Sequence, residues 1–370
     1  MKPIHIVHTE SSCGWGGQEI RILTEAEGMI RRGHRVTLIC PSEAPISEAA
    51  RRRGISVENL PIARKSWRGI MSVRHWLLHK RNSVDVVNTH SSTDSWLTAL
   101  ACLLMFKAPP VVRTRHVSSP IHDNAPTRWL YQKAARHVVV TGEALRHQLQ
   151  RDNGFDLGHM TSVPTGIDLD YFAPADRQAS RKTVGLVDAP TLGILATLRN
   201  WKGHVYLLEA FASLTEAFPE WRLLVVGDGP QRANLERKAS ELGIADRIKF
   251  VGNRDDVPCW LNCMDLFCLP SYGDEGVPQS IMQAMACGLA VVSTPVGAIA
   301  EAVVDGETGI LVTPKDNQVL AQALGKLMGD ETLRMQYAEA GLSRARKRFG
   351  VDIMLDRMEA IFATYAGVRD

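Results

Sequence analysis

Ser271-Tyr-Gly-Asp-Glu-Gly-Val-Pro-Gln-Ser-Ile-Met-Gln-Ala-Met-Ala-Cys-Gly288 follows directly on the apolar run Leu266-Phe-Cys-Leu-Pro270. The run is short, rich in β-formers and stopped by a proline, which reads as a buried parallel strand. Pro278 followed by Gln279 to Ala286 reads as the first turns of a helix. An acidic loop therefore leads from strand to helix. Backbone N–H groups at a helix start favour anions, and Glu275 in the loop before it accepts hydrogen bonds from hydroxyl groups. A ligand carrying both phosphates and a polyol fits this pair of features.

Working outward, the same strand-turn-helix-strand order appears twice. The first copy runs from strand Ile4 to His8 through Gly14, Gly16 and Gly17 into a helix with apolar positions near Ile20, Leu23 and Met29. It closes at Gly33 and enters strand Arg35 to Cys40. The second runs from strand Leu192 to Leu198 through Lys202-Gly203 into a helix with Leu207, Leu208 and Phe211, then strand Arg222 to Gly227. Further strands at Asp85 to Asn88, Val111 to Thr114, His137 to Val140, Ile248 to Val251 and Ala290 to Ser293 alternate with helical stretches. That alternation predicts parallel sheets covered by helices. At 370 residues the chain exceeds what one core usually organises. We therefore expect an α/β protein of two doubly wound, Rossmann-like domains facing a cleft, spanning residues 1–166 and 167–350. The turn-rich segment Val163 to Pro174 links them, and a C-terminal helix in 351–370 can return to the first domain.

Composition narrows the class. Apolar content of 45% is ordinary for a globular protein, and the longest apolar run, Trp96 to Phe106, is about half the ~20 residues needed to span a bilayer. The N-terminus alternates His and apolar residues where a signal peptide needs an unbroken apolar stretch, so a cytoplasmic location is expected. The seven cysteines form no Cys-x-x-Cys pair and lack neighbouring histidines, which argues for buried thiols rather than zinc. The net charge of +3 conceals an asymmetry: residues 1–166 carry 22 Lys and Arg against 13 Asp and Glu (+9), the remainder 21 against 27 (−6). A basic first half predicts an anionic partner there, such as a phosphorylated glycan or an anionic membrane surface. The stretch Ile62 to Val84, with Trp67, Ile70, Leu77 and several basic residues, fits either an interfacial membrane helix or an ordinary helix packed on a sheet. No nucleic-acid recognition motif accompanies the charge.

Gly14-Trp-Gly16-Gly17 after the first strand invites a dinucleotide reading. The second strand, however, ends Ile39-Cys40-Pro41 without the acidic residue that a ribose requires, and the Gly-x-Gly-x-x-Gly spacing is absent. The stretch from Glu275 through Gln283 to Ala284-Met-Ala-Cys-Gly288 instead resembles the signature of the retaining glycosyltransferases of family 4. In that pattern a Glu, seven residues and a second Glu precede Ala-Met-Ala-x-Gly. The resemblance extends over nearly the whole chain and is best between Leu192 and Thr313, including Thr294-Pro-Val-Gly297, Glu301 and Gly306-Glu-Thr-Gly309. Two positions depart from it. Gln283 stands where the second Glu is expected, and Ala196-Thr197 where Gly-Arg is expected.

The resemblance implies the GT-B fold, with an acceptor-binding N-terminal domain and a nucleotide-sugar-binding C-terminal domain. It implies that Glu275 contacts hydroxyls of the donor sugar, that Lys202, with Arg199 substituting for the displaced arginine, faces the donor diphosphate, and that His116 lines the donor-sugar side. Gly16, Gly17, Gly276, Val277, Gln279 and Gln283 would approach the donor, with Gln283 on the ribose, while Val251 and Arg254 would hold the base. His90, Arg113 and Arg115 are the acceptor candidates. No metal or cofactor is required under this resemblance beyond a nucleotide-sugar substrate, with UDP the expected nucleotide. The acceptor would be a glycan or glycolipid, and the enzyme would be peripheral on the inner face of the membrane. A hydrolase or epimerase of UDP-sugars on the same fold, and a glycan-binding scaffold that has lost activity, are the alternatives.

Overall fold

The computed structural model describes residues 2–81, 83–116, 119–273 and 275–366. The chain divides into two compact units, one made of Met1–Gly166 together with Val351–Asp370, the other of Ile167–Gly350.

The first unit is built on a seven-stranded sheet of β1 (His5–Thr9), β2 (Arg35–Cys40), β3 (Ser56–Asn59), β4 (Val86–Thr89), β5 (Val111–Arg115), β6 (His137–Val140) and β7 (Met160–Ser162), in the order β3-β2-β1-β4-β5-β6-β7. All its pairings are parallel. Every residue of β1, β4 and β6 is buried, as expected where helices cover both faces. Alternation along β1 sends Ile6 into one core with Ile22, Leu23 and Met29, and Val7 into another with Ile70, Val73 and Trp76. The basic stretch forms the helix Trp67–His79, opened by the Ser66 side chain, which accepts from Gly69 N at 3.0 Å. Ile70, Val73, Trp76 and Leu77 bury its apolar face, leaving Trp67 68% exposed at its start. This is the packed-helix alternative. No helix among the described residues is long and apolar enough to cross a membrane.

The second unit holds six parallel strands, β8 (Thr191–Leu195), β9 (Arg222–Val226), β10 (Ile248–Gly252), β11 (Leu266–Leu269), β12 (Ala290–Ser293) and β13 (Gly309–Leu311), in the order β10-β9-β8-β11-β12-β13. One core fills it, with Ile194, Phe211, Phe267, Ile281 and Leu324 among its buried members. Cys40, Cys263, Cys268 and Cys287 are buried thiols; the expectation is corrected at Cys13, which is exposed in the loop after β1, and at Cys102 and Cys259, which are half-buried.

The last helix, Val351–Tyr365, belongs to the first unit. Met354, Leu355, Met358 and Phe362 enter the core beside Ile22 and Met29. Leu355 packs where residue 28 has no side chain: a Cβ on Gly28 would lie 2.4 Å from its Cδ1. Arg32 adds ion pairs to Glu359 at 2.7 Å and Asp356 at 2.8 Å, and Tyr365 reaches His137 at 3.2 Å. Because Phe362 is fully buried, Phe362→Ala should destabilise the first unit by about 3–5 kcal/mol. Urea unfolding followed by circular dichroism checks this; a loss below about 1 kcal/mol would show that the helix lies outside the core.

Candidate active site

In the second unit, three neighbouring strands deliver their following loops to one edge of the sheet. The turn after β8 carries Arg199 to Lys202 and ends at Gly203, whose φ of +78° suits glycine and whose Cβ would fall 1.9 Å from the Pro270 carbonyl oxygen. That close approach presses the β8 turn onto the β11 loop, where Tyr272 N donates to Trp201 O at 2.8 Å. The loop after β12 clamps the other side: Ala298 N donates to Glu275 O at 2.9 Å, and Gly297, at φ +57°, would set a Cβ 2.0 Å from the same oxygen. So held, Glu275 Oε1 accepts from Lys202 Nζ at 2.6 Å and from Ser271 Oγ at 2.7 Å. Lys202 and Glu275 keep 18% and 11% side-chain exposure, so the pair is reachable by a ligand.

In the first unit, three imidazoles from adjacent strands form a chain. His8 Nδ1 lies 2.9 Å from His90 Nε2, and His90 Nδ1 lies 2.9 Å from His116 Nε2. The register explains it. His8 pairs with Asn88, and Asn88 with Val112. His90 stands two residues beyond the first level and His116 four beyond the second, so each ring steps two residues along its strand and stays on the same sheet face. Below His8, the Glu25 carboxylate is 4.0 Å from Nε2, beside Arg21 and Asn88. Burial pushes His8 down to about 3 and holds His90 and His116 well below the usual imidazole range, while it lifts Glu25 to about 7. These rings are neutral donors and acceptors at neutral pH.

His90 and His116 border a cavity of about 550 Å³ whose wall includes Arg113, Arg115, Tyr131 and Trp96. Beside it, Glu10 accepts from Ser12 N at 2.7 Å and from the Ser91 and Gln18 side chains. Asp94 accepts from Thr9 Oγ1, His90 N and Ser91 N at 2.7–2.9 Å. Burial holds both carboxyls above the usual carboxylate range.

Residues 15–171 match the family described as Glycosyltransferase Family 4, and residues 189–330 match Glycosyl transferases group 1. A D-inositol 3-phosphate glycosyltransferase of Catenulispora acidiphila is 30% identical over 80% of this chain and 74% of its own. This chain belongs to glycosyltransferase family 4. A phosphatidyl-myo-inositol mannosyltransferase of Mycobacterium leprae is 27% identical over 95% of this chain and 94% of its own. The crystal structure of the Anabaena protein HepE in complex with UDP-glucose superposes with a TM-score of 0.83 at 22% identity, covering 98% of this chain and all of that one, a likeness of fold.

In this family 4 glycosyltransferase, Lys202 and Glu275 meet, as do His90 and His116. Gly276 and Val277 continue the Glu275 loop into the helix Gln279–Ala286, on which Gln279 and Gln283 lie one turn apart and half-buried. Arg199 is exposed and its guanidinium stands 5.2 Å from the Trp201 ring centroid. Arg254, in the turn two residues after β10, stacks on Trp260 at 4.8 Å, and Val251 lies within β10. Gly16 and Gly17 open the helix Gly17–Arg31. Gly16 has extended backbone, and a Cβ there would meet only Glu19 Oε2, at 3.8 Å. The fold itself leaves that space open. Sequence reading missed His8, Glu10, Asp94 and Tyr131. Asp94 had a signal, since Ser91-x-x-Asp94 is a capping box and the structure forms it.

The buried groups of the first unit carry a pH dependence. His5, His8, His90, His116 and His137 are all depressed by burial, so their contribution is present above the ordinary imidazole value and is lost as pH falls through their folded values. Glu10, Glu25 and Asp94 are raised by burial, so theirs is present in acid and lost as pH rises through their folded values. Five histidines oppose three carboxyls between about pH 4 and 6.5, and the first unit should weaken on acidification across that window. His8→Phe removes one such group and should flatten the slope of unfolding free energy against pH by up to about 1.4 kcal/mol per unit. Urea unfolding at stepped pH measures it, and an unchanged slope would show that His8 is already protonated in the folded protein.

Proposed function

We propose that the protein is a retaining hexosyltransferase that moves a sugar from a nucleotide-sugar, a UDP-hexose, to a glycan or lipid-linked acceptor in lipopolysaccharide or exopolysaccharide assembly. The observation that carries this reading is the Lys202–Glu275 pair at the loop edge of the second unit's sheet. A nucleotide-sugar offers each member a better partner. The diphosphate takes the ammonium, and a sugar hydroxyl takes the carboxylate. Breaking the anomeric C–O bond leaves its electron pair on the diphosphate, where Lys202, with Arg199 swung from Trp201, stabilises the growing charge. The acceptor hydroxyl attacks the same face and passes its proton to the departing phosphate oxygen. These cations serve where other enzymes use a metal. Glu275 orients the sugar without forming a bond to it, and Gln283 keeps one carbonyl acceptor for the ribose. His116 is assigned to the donor sugar, His90 to the acceptor, Gly16 and Gly17 to backbone approach, and Val251 and Arg254 to the base.

UDP as the nucleotide draws support from HepE, whose crystal structure contains UDP-glucose. A lipid-linked or polyol acceptor draws support from the mannosyltransferase acting on phosphatidyl-myo-inositol and the glycosyltransferase acting on inositol 3-phosphate. For attachment to the membrane surface, the support is an apolar tip: Leu103 and Phe106 are 65% and 75% exposed, with Arg81 and Lys107 within 6 Å of the Phe106 ring. The cytoplasmic face is the reading for its location.

UDP should raise the melting temperature more than GDP, ADP or TDP, equally with and without EDTA, because a ligand bound only by the folded state stabilises it. Lys202→Ala should lose most of that shift. No shift with any nucleotide at millimolar concentration would favour a scaffold without activity, the reading that Thr197 and Gln283 prompt. Phe106→Asp should abolish co-sedimentation with anionic vesicles at low salt, and a wild-type protein that stays in the supernatant would remove the membrane from the proposal.

A further inference from the structure

Arg113 and Arg115 leave the same face of β5, two residues apart, and are only 3% and 6% exposed. A guanidinium stays protonated in any protein environment, and a buried one ordinarily has a carboxylate against it. Here, among the described residues, neither forms an ion pair. Arg113 stacks on the Tyr131 ring at 4.6 Å and reaches the Ser91 carbonyl at 3.5 Å. Arg115 donates to Tyr131 Oη at 3.0 Å and to the Ser119 carbonyl. The Nε atoms of both are buried without a partner. Asp94, the acid whose field Arg113 reaches, already accepts from Thr9, Ser11, His90 N and Ser91 N. Two desolvated cations with only neutral partners are destabilising where they stand. Their field is visible on their neighbour: Arg113 and Arg115 pull the Tyr131 phenol below its usual range in spite of burial.

Arg113 and Arg115 both line the 550 Å³ cavity, and no described Asp or Glu does. Lys65 lines the same cavity, 5.6 Å from the Trp96 ring, so the lining holds a third cation and an aromatic face. Ser92, Asn124 and Thr127 add neutral hydrogen-bonding groups. The missing counter-charge and the space beside it coincide.

We propose that this cavity is a binding site for a phosphate ester of a sugar or polyol, with the phosphate on Arg113, Arg115 and Lys65 and the ring against Trp96. Arg presents a planar fork that matches phosphate oxygens, and the cavity is roomy enough for a phosphate and one ring. Naming this ligand the acceptor rests on the transferase reading above; the anion site does not. The phosphate ester can be free or be the headgroup of a phospholipid.

Thermal shift of the full chain tests it, using inorganic phosphate, glucose 1-phosphate, glucose and UDP as probes, with flotation on phosphatidylinositol-containing vesicles as the lipid arm. Wild type should shift with glucose 1-phosphate and not with glucose. Arg113→Met should melt higher than wild type without ligand, since an uncompensated buried charge is gone, and should weaken glucose 1-phosphate at least tenfold. Lys65→Ala, an exposed position that spares the core, should weaken it several-fold. UDP should shift all three alike. Vesicle binding lost in Arg113→Met, without a shift from the soluble ester, would support the site with the lipid as the source. Three results would overturn it: no binding of either phosphate source to wild type; a glucose 1-phosphate shift that persists in Arg113→Met; or a ligand-free Arg113→Met that melts lower than wild type with unaltered affinity. A UDP shift with no phosphate binding removes this site and leaves the transferase reading. Phosphate binding without a UDP shift does the reverse.

Discussion

A parallel strand cannot return by a tight turn; the chain must cross the sheet before it can lie down again in the same direction. The side-chain clusters at the strand ends of both units follow from that constraint. All loops that leave the carboxyl ends of β8, β11 and β12 emerge along one edge, and because these strands are neighbours their loops must press together. The pairing of Lys202 with Glu275, 73 residues apart in sequence, is the outcome. In the other unit the same rule aligns the ends of β1, β4 and β5. The spacing of adjacent strands, roughly 4.8 Å, is close to the 5.1–5.2 Å between the centroids of successive rings in the histidine chain.

The two units handle charge differently. In the second, the cation and the carboxylate at the loop edge satisfy each other and remain partly exposed. In the first, charge is taken deep. Arg21 and Glu25 are fully buried against each other and against the Val163 carbonyl, which Arg21 Nη1 reaches at 2.6 Å, while Arg113 and Arg115 are left with neutral partners. The basic excess of residues 1–166 is thus not only a solvated surface; part of it lies inside.

Much of this was legible in the sequence because each unit repeats strand, turn and helix with strong apolar runs. Strands buried on both faces, such as β4, β6 and β11, announce themselves. The edge strands β3, β7 and β13 did not: Ser56-Val-Glu-Asn59 is partly exposed, and three-residue β7 and β13 carry too short a pattern to stand out. The loop carrying Glu275 and the turn carrying Lys202 were readable from residue types at strand ends. The ring chain was not, because it depends on register between strands more than 25 residues apart, and a histidine inside a strand, as His8 is, gives no local sign of what lies beside it. Nor did the sequence give notice that Arg113 and Arg115 point inward, since burying a cation without a counter-charge runs against the ordinary preference.

The first unit is discontinuous: the 184 residues of Ile167–Gly350 lie between its body and its last helix. On a ribosome, the second unit is complete before Met354, Leu355, Met358 and Phe362 have been made. At about 5–20 residues per second, the first sheet waits on the order of 10–40 s with Ile22, Met29 and the Arg21–Glu25 pair uncovered. Residues 1–166 therefore hold an open core face until Val351–Tyr365 has been made.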